Sequence, residues 1–402
     1  MNLQFEGIEK FEIQDHLVII NKNQIGKIII FWKKLEVEKL VVKIQENCNI
    51  EILELEEKNN SKIEYQIGTN SQVLYNLFAK EKANNAFRKF DLKAIVACVI
   101  VFGIVQGLLF GEIIGPFWEL NIILICINII LAVSLNLING YTGQFSIGHA
   151  GFMAVGAYTS AIMTVKLGMP FEAGLVVATL AAGLLGFLIG LPTLRLDGDY
   201  LAIATLGLGE IIRICILNID YVGGASGLMG IPRMTNFAYT FWIMIAIIFF
   251  IKNFKNSSYG RCCLAIRENE IAADTMGINT TKYKVMAFTF GAAFAGTAGA
   301  LFSHYFFLAH PASFTFMRSF DILTMVVLGG LGSMTGAITG ATLLTFISAY
   351  LSDYPEWRMI IYSVTMIILM LYRPQGLFGS KELSLKMFKL GGKDNGRTAE
   401  GR

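Results

Sequence analysis

The chain has 402 residues, 54% of them hydrophobic and only 16% charged, with a formal net charge of +3. A mean hydropathy of +0.56 excludes an ordinary soluble globular protein. The basic residues flank apolar runs, so they argue nothing for nucleic acid. The six cysteines (Cys48, Cys98, Cys126, Cys215, Cys262, Cys263) show neither metal spacing nor a disulfide framework.

No secretory leader is expected, because the first residues alternate polar and apolar without a hydrophobic core. Residues 1–86 carry short β-type runs, His16–Ile20, Lys27–Phe31, Asn49–Leu55 and Lys62–Ile67, broken by Asn, Gly and Lys clusters. Within them Ile50-Glu-Ile-Leu-Glu-Leu is close to the strict alternation of a half-buried strand. The expectation is a small β-rich domain over residues 1–90, cytoplasmic, with no assigned role.

From Asp91 onward the pattern changes to spans. A bilayer core of about 30 Å needs roughly 20 apolar residues in a helix. Apolar stretches cover 94–110, 120–138, 151–166, 171–191, 199–217, 237–251 and 286–308, then a Gly-interrupted run at 319–350 and a last one at 357–372. Splitting 319–350 at Gly329-Gly-Leu-Gly-Ser gives about ten membrane segments, with a re-entrant pair as the alternative. The fold class expected is an all-α polytopic membrane protein over residues 91–380, followed by a basic tail at 381–402. Arg88, Lys89 and Lys93 before the first span place the N-terminus inside by the positive-inside rule. Alternation then puts Arg195, the stretch 252–285 and the tail on the same, cytoplasmic side.

Two polar interruptions stand out. Asn139-Gly-Tyr-Thr-Gly-Gln-Phe-Ser-Ile-Gly-His-Ala-Gly151 separates two spans, and its Gln144, Ser146 and His149 either satisfy broken helix ends or line a route for a zwitterionic solute. The second is the mixed-charge island 261–285, flanked by apolar spans. Glu268, Asn269 and Glu270, then Ala272 and Ala273, then Gly277 at a capping position, read as a short helix whose small side chains let another surface approach. Inside the apolar run from Tyr200, Glu210 and Arg213 lie three apart on one face, either a packing lock or part of a path. Gly186/Gly190 and Gly336/Gly340 read as close-packing pairs, and His304 and His310 as interfacial singletons. No phosphate loop, serine elbow, zinc signature or dinucleotide fingerprint occurs, so the chain is not expected to be an enzyme or to hold a cofactor or metal.

These motifs together resemble a known family. The stretch from about Leu120 to Gly379 is similar to the LivM-type permease subunits of branched-chain amino-acid ABC importers. The resemblance rests on the Asn139–Tyr158 run, on Arg195-Leu-Asp-Gly-Asp-Tyr through Glu210-Ile-Ile-Arg, and on the island. Val327-Leu-Gly-Gly-Leu-Gly-Ser and Tyr372-Arg-Pro-Gln-Gly-Leu-Phe-Gly complete it. It implies a second homologous permease, two ATPase subunits carrying the ATP, an extracytoplasmic binding protein and a place in the cell membrane with both termini cytoplasmic. It also implies that Glu268, Glu270, Ala272, Ala273 and Gly277 form the coupling element that seats on an ATPase, although Ile271 occupies the family's acidic position. Gln144, Ser146, His149, Glu210 and Arg213 are then translocation-path candidates, for Leu, Ile and Val or alternatively for urea or short amides. A secondary transporter with its own coupling-ion site, and a membrane anchor serving the N-terminal domain, are the competing classes.

Overall fold

The computed structural model describes residues 98–111, 115–194, 196, 198–352, 354, 364 and 376, and the backbone of five short strands nearer the N-terminus. Arg195, the cations before the first span, the run 357–372 apart from Val364, and the tail 381–402 lie outside the described residues. The chain divides into two compact units, Met1–Val101 and Phe102–Arg402. In the first, β1 (Ile8–Ile13), β2 (His16–Asn21), β3 (Lys27–Phe31), β4 (Ile52–Leu55) and β5 (Ile63–Ile67) pair antiparallel in the order β1-β2-β3-β5-β4.

The second unit is helical. After α1 (Cys98–Phe110) come α2 (Pro116–Asn136), α3 (His149–Val165), α4 (Phe171–Thr193), α5 (Asp199–Leu217) and α6 (Phe237–Asn256). Two short helices follow, α7 (Ser258–Glu268) and α8 (Glu270–Thr275), then α9 (Thr280–Phe306), α10 (Phe316–Gly329) and α11 (Met334–Tyr350). Among the described residues, five helices are long and apolar enough to cross a membrane: α2 with its extension to Tyr141, α4, α5, α6 and α9. α1 and α11 are shorter apolar helices. The run 319–350 is two helices broken at Gly330–Ser333, the break its glycines predict.

Local chemistry sets the ends. Pro116 starts α2 at a position that has no amide to lose, and Asn236 accepts from Tyr239 N at 2.9 Å to cap α6. Ser333 accepts from Gly336 N at 3.1 Å and restarts the chain as α11. In lipid, burying apolar surface gives helices little reason to associate, so close backbone contact must supply the attraction. α3, α4 and α9 achieve it with small residues. A Cβ at Gly156 would stand 2.0 Å from Gly296 O, and one at Gly186 would stand 2.4 Å from the Ala292 side chain. α2 lies against α6, α9, α10 and α11 and joins this cluster to the α10–α11 pair. Its most apolar window is 83% buried, against 17% for α5 at the periphery.

A two-residue ladder, Leu228–Met229 (β6) on Leu308–Ala309 (β7), ties the α5–α6 connection to the end of α9, and Tyr158 Oη donates to Ala309 O at 2.7 Å. His304, two residues from the end of α9, is fully buried within the protein, shares its ring nitrogens with Ala300 O and Thr164 Oγ1 at 3.0 Å each, and packs on Phe171.

Candidate coupling island and membrane-depth break

The stretch 252–285 is less a loop than a helical hairpin running directly out of α6 and into α9. Ser257 caps α7, and Asn269, the single residue between α7 and α8, accepts from Ala272 N at 2.9 Å to cap α8. Gly277 closes α8 with φ +82, a left-handed conformation natural to glycine, while Ile278 N donates to Ala273 O at 3.1 Å. Asn279 then caps α9 through Lys282 N at 3.0 Å.

These caps leave α8 with two distinct faces. Ala273 is buried, whereas Ala272 is exposed between Ile271 and Met276, which are 78% and 81% exposed. Glu268 points outward with only a loose 3.8 Å contact to Arg267. Glu270 turns inward to the buried ammonium of Lys284 on α9. The two carboxylates that sequence could not separate therefore stand differently: Glu270 ties α8 to α9 through Lys284, and Glu268 is exposed. Cys263 on the inner face of α7 is buried, which pushes its thiol up to about 12.

The other interruption begins where α2 loosens into a π-turn, Leu137–Tyr141, and continues as irregular chain to Gly148. It sits at the depth of the middle of α5. A Cβ at Gly148 would stand 2.3 Å from Thr205 O, and one at Gly151 would stand 2.8 Å from Gly209 Cα. Hydrogen bonds hold its backbone from several helices. Asn139 exchanges bonds with Ser146 N and O at 3.2 Å, Thr205 Oγ1 accepts from Ile147 N at 3.1 Å, and Ser319 Oγ accepts from Ala150 N at 3.0 Å.

Its polar side chains are served differently. His149 Nε2 meets Ser134 Oγ at 2.8 Å. Gln144 Oε1 and Nε2, Ser146 Oγ and His149 Nδ1 are buried without a hydrogen-bond partner among the described residues. None of these four atoms reaches a helix-end backbone group. Orphaned buried polar atoms cost about 1–3 kcal/mol each, so four within six residues call for water or a polar solute.

Glu210 and Arg213 are brought together as their spacing predicts, at 2.7 Å and 23% exposed side chains. The other carboxylate oxygen accepts from Phe316 N at 2.9 Å, which caps α10. Glu210 thus joins α5 to α10. Sequence reading passed over Arg318 and Asp321 of α10 because they fall in a long apolar run. Arg318 Nη2 donates to Asn128 Oδ1 at 2.7 Å, and Asn128 Nδ2 donates to Thr345 Oγ1 at 2.8 Å, binding α10, α2 and α11. No group of His, Cys, Asp or Glu among the described residues has the arrangement of a metal site.

Residues 119–370 match the family described as branched-chain amino acid transport system, permease component. Over 296 residues the chain is 37% identical to the high-affinity branched-chain amino acid transport system permease protein LivM of Salmonella typhimurium, covering 65% of this chain and 70% of that one. The Escherichia coli protein of the same name gives the same identity and coverage. The LivH permease of Escherichia coli is 34% identical over 146 residues, 36% of this chain and 46% of that one. Both interruptions lie inside the matched region, and residues 1–118 lie before it.

Proposed function

The chain belongs to the branched-chain amino acid transport permease family, a family of transport proteins rather than enzymes, and from that we propose that it is one membrane-spanning subunit of an ATP-driven importer of leucine, isoleucine and valine. The observation that carries this reading is α8, a capped helix tied to α9 by Glu270 and Lys284 with Ile271, Ala272 and Met276 turned outward. Such a surface suits the groove of an ATPase subunit, and Glu268 is the acid available at its rim. Likeness to both LivM and LivH permeases supports a pair of homologous membrane subunits with two ATPases below and a binding protein outside.

The path runs by the break at 142–148. Leu, Ile and Val are apolar zwitterions, which call for apolar walls with a few polar groups, and the unpaired atoms of Gln144, Ser146 and His149 supply those groups. Glu210 and Arg213 hold α5 against α10 beside it. ATP-driven closure below rocks these helices between inward-open and outward-open arrangements. Ten crossings, both termini cytoplasmic, an N-terminal β-rich appendage and ATP held only by partner chains complete the proposal.

The test is ATP-dependent uptake of labelled leucine by vesicles holding this chain with its companion permease, ATPases and binding protein. Replacing Ala272 by Trp leaves the complex inserted and abolishes uptake. Leucine uptake that persists without any ATPase overturns the reading, and ATP-dependent uptake of urea or a short amide in place of leucine changes the cargo.

A further inference from the structure

We propose that Arg267 is the positioning residue through which movement of the docking helix reaches the membrane-depth break. This rests on the reading of α8 as an ATPase-docking element and goes beyond it. Arg267 stands near the end of α7, two residues before the single-residue joint at Asn269. From there its side chain leaves the island and enters the bundle. Nη1 donates to Gly140 O in the π-turn at 2.8 Å. A Cβ at Gly332, in the break between α10 and α11, would stand 2.4 Å from the same nitrogen, and one at Gly143 would stand 3.2 Å from Cγ. The guanidinium is therefore inserted between the two interruptions of the spanning helices, and glycines make the room.

The two interruptions are also joined to each other. Asn136 Oδ1 accepts from Gly332 N at 2.8 Å, and its Nδ2 donates to Ser333 O at 3.2 Å. A second cation from the cytoplasmic side, Lys255 at the end of α6, sits 5.0 Å from the centre of the Tyr141 ring. The π-turn is thus contacted by Arg267 from the island and by Lys255 from the end of α6. A π-turn misaligns the backbone ladder, which leaves carbonyls such as that of Gly140 available to an outside donor, and turns of this kind recur at functional positions.

On the other side, Glu270 and Lys284 fasten α8 to α9, and Asn269 leaves no slack between α8 and α7. A shift of α8 under an ATPase therefore carries Arg267 with it. Arg267 moves the π-turn, and the π-turn is continuous with Gln144 and Ser146. The 3.8 Å contact with Glu268 is too loose to hold the guanidinium back.

The experiment measures leucine uptake and ATP turnover together in the reconstituted complex, for wild type, Arg267→Ala, Arg267→Lys and Ala272→Trp. The expected result for Arg267→Ala is an assembled complex that hydrolyses ATP within about twofold of wild type while uptake falls about tenfold or more. Arg267→Lys keeps a cation and one donor for Gly140 O and recovers part of the uptake. A residue needed only for folding would lower assembly, turnover and uptake in parallel, so that outcome in both variants overturns the proposal, as does unchanged uptake in Arg267→Ala. If Ala272→Trp abolishes uptake and Arg267→Ala does not, the docking reading stands and the link through Arg267 falls. If wild-type uptake needs no ATP, the docking reading falls and takes the link with it.

Discussion

Asn136 shows how much a single buried amide carries in this bundle. Its oxygen meets Gly332 N and its nitrogen meets Ser333 O, so it replaces two bonds that the backbone loses where α10 stops and α11 begins. Replacement by Ala leaves a buried N–H unpaired, at a cost of about 1–3 kcal/mol. The variant should show a thermal midpoint several degrees lower in detergent, and an unchanged midpoint would mean that water serves the break equally well. The paired cysteines of α7 report on burial instead. Burial pushes the Cys263 thiol up to about 12, so almost no thiolate is present near neutral pH, whereas Cys262 beside it is only half-buried. Brief maleimide treatment of the folded protein should modify Cys262 and spare Cys263, as mapped by mass spectrometry. Modification in the reverse order would mean that α7 presents its other face to the bundle.

At the scale of elements, the α3–α4–α9 contact depends on the absence of side chains, and that makes it testable by contrast. At Gly156 a Cβ would meet the Gly296 backbone at 2.0 Å, and backbone cannot turn aside as a side chain can. Gly156→Leu should force α3 from α9 and reduce folded yield severely, beyond the roughly 1–3 kcal/mol of an ordinary overpacked core. Gly107→Ala on α1, where a Cβ would meet nothing within 4 Å, should be neutral or stabilising by up to about 1 kcal/mol. Equal yields from the two variants would refute packing as the reason for the glycines. Elements of this kind are legible in sequence because run length and small-residue spacing are local properties. The short helix in the island and the break at Gly330–Ser333 were legible for the same reason. What Arg267 touches was not, since its acceptor lies 127 residues away. Nor was the capping of α10 by Glu210, whose partner is on another helix. The i,i+3 pair with Arg213 was visible, and its use as an anchor between helices was not.

At the scale of the whole molecule, the question is what residues 1–118, which lie before the family match, add to the rest of the chain. The family match begins at residue 119, and Phe102–Arg402 is a compact unit in its own right. Within it lie α8, the break after α2 and the ties among α2, α5, α10 and α11. On the proposed reading, a path lined by Gln144, Ser146 and His149 and driven from α8 uses no residue before the first span. A membrane anchor or sensor built around the N-terminal segment requires the opposite, because its helices would only hold that segment in place. Deleting residues 1–86, with the cations Arg88, Lys89 and Lys93 retained so that orientation is still set by the positive-inside rule, separates the two. The importer keeps ATP-dependent leucine uptake within about twofold of the full chain once surface expression is equalised. Loss of uptake in a correctly inserted truncation would place the N-terminal segment inside the transport cycle and overturn this division of labour.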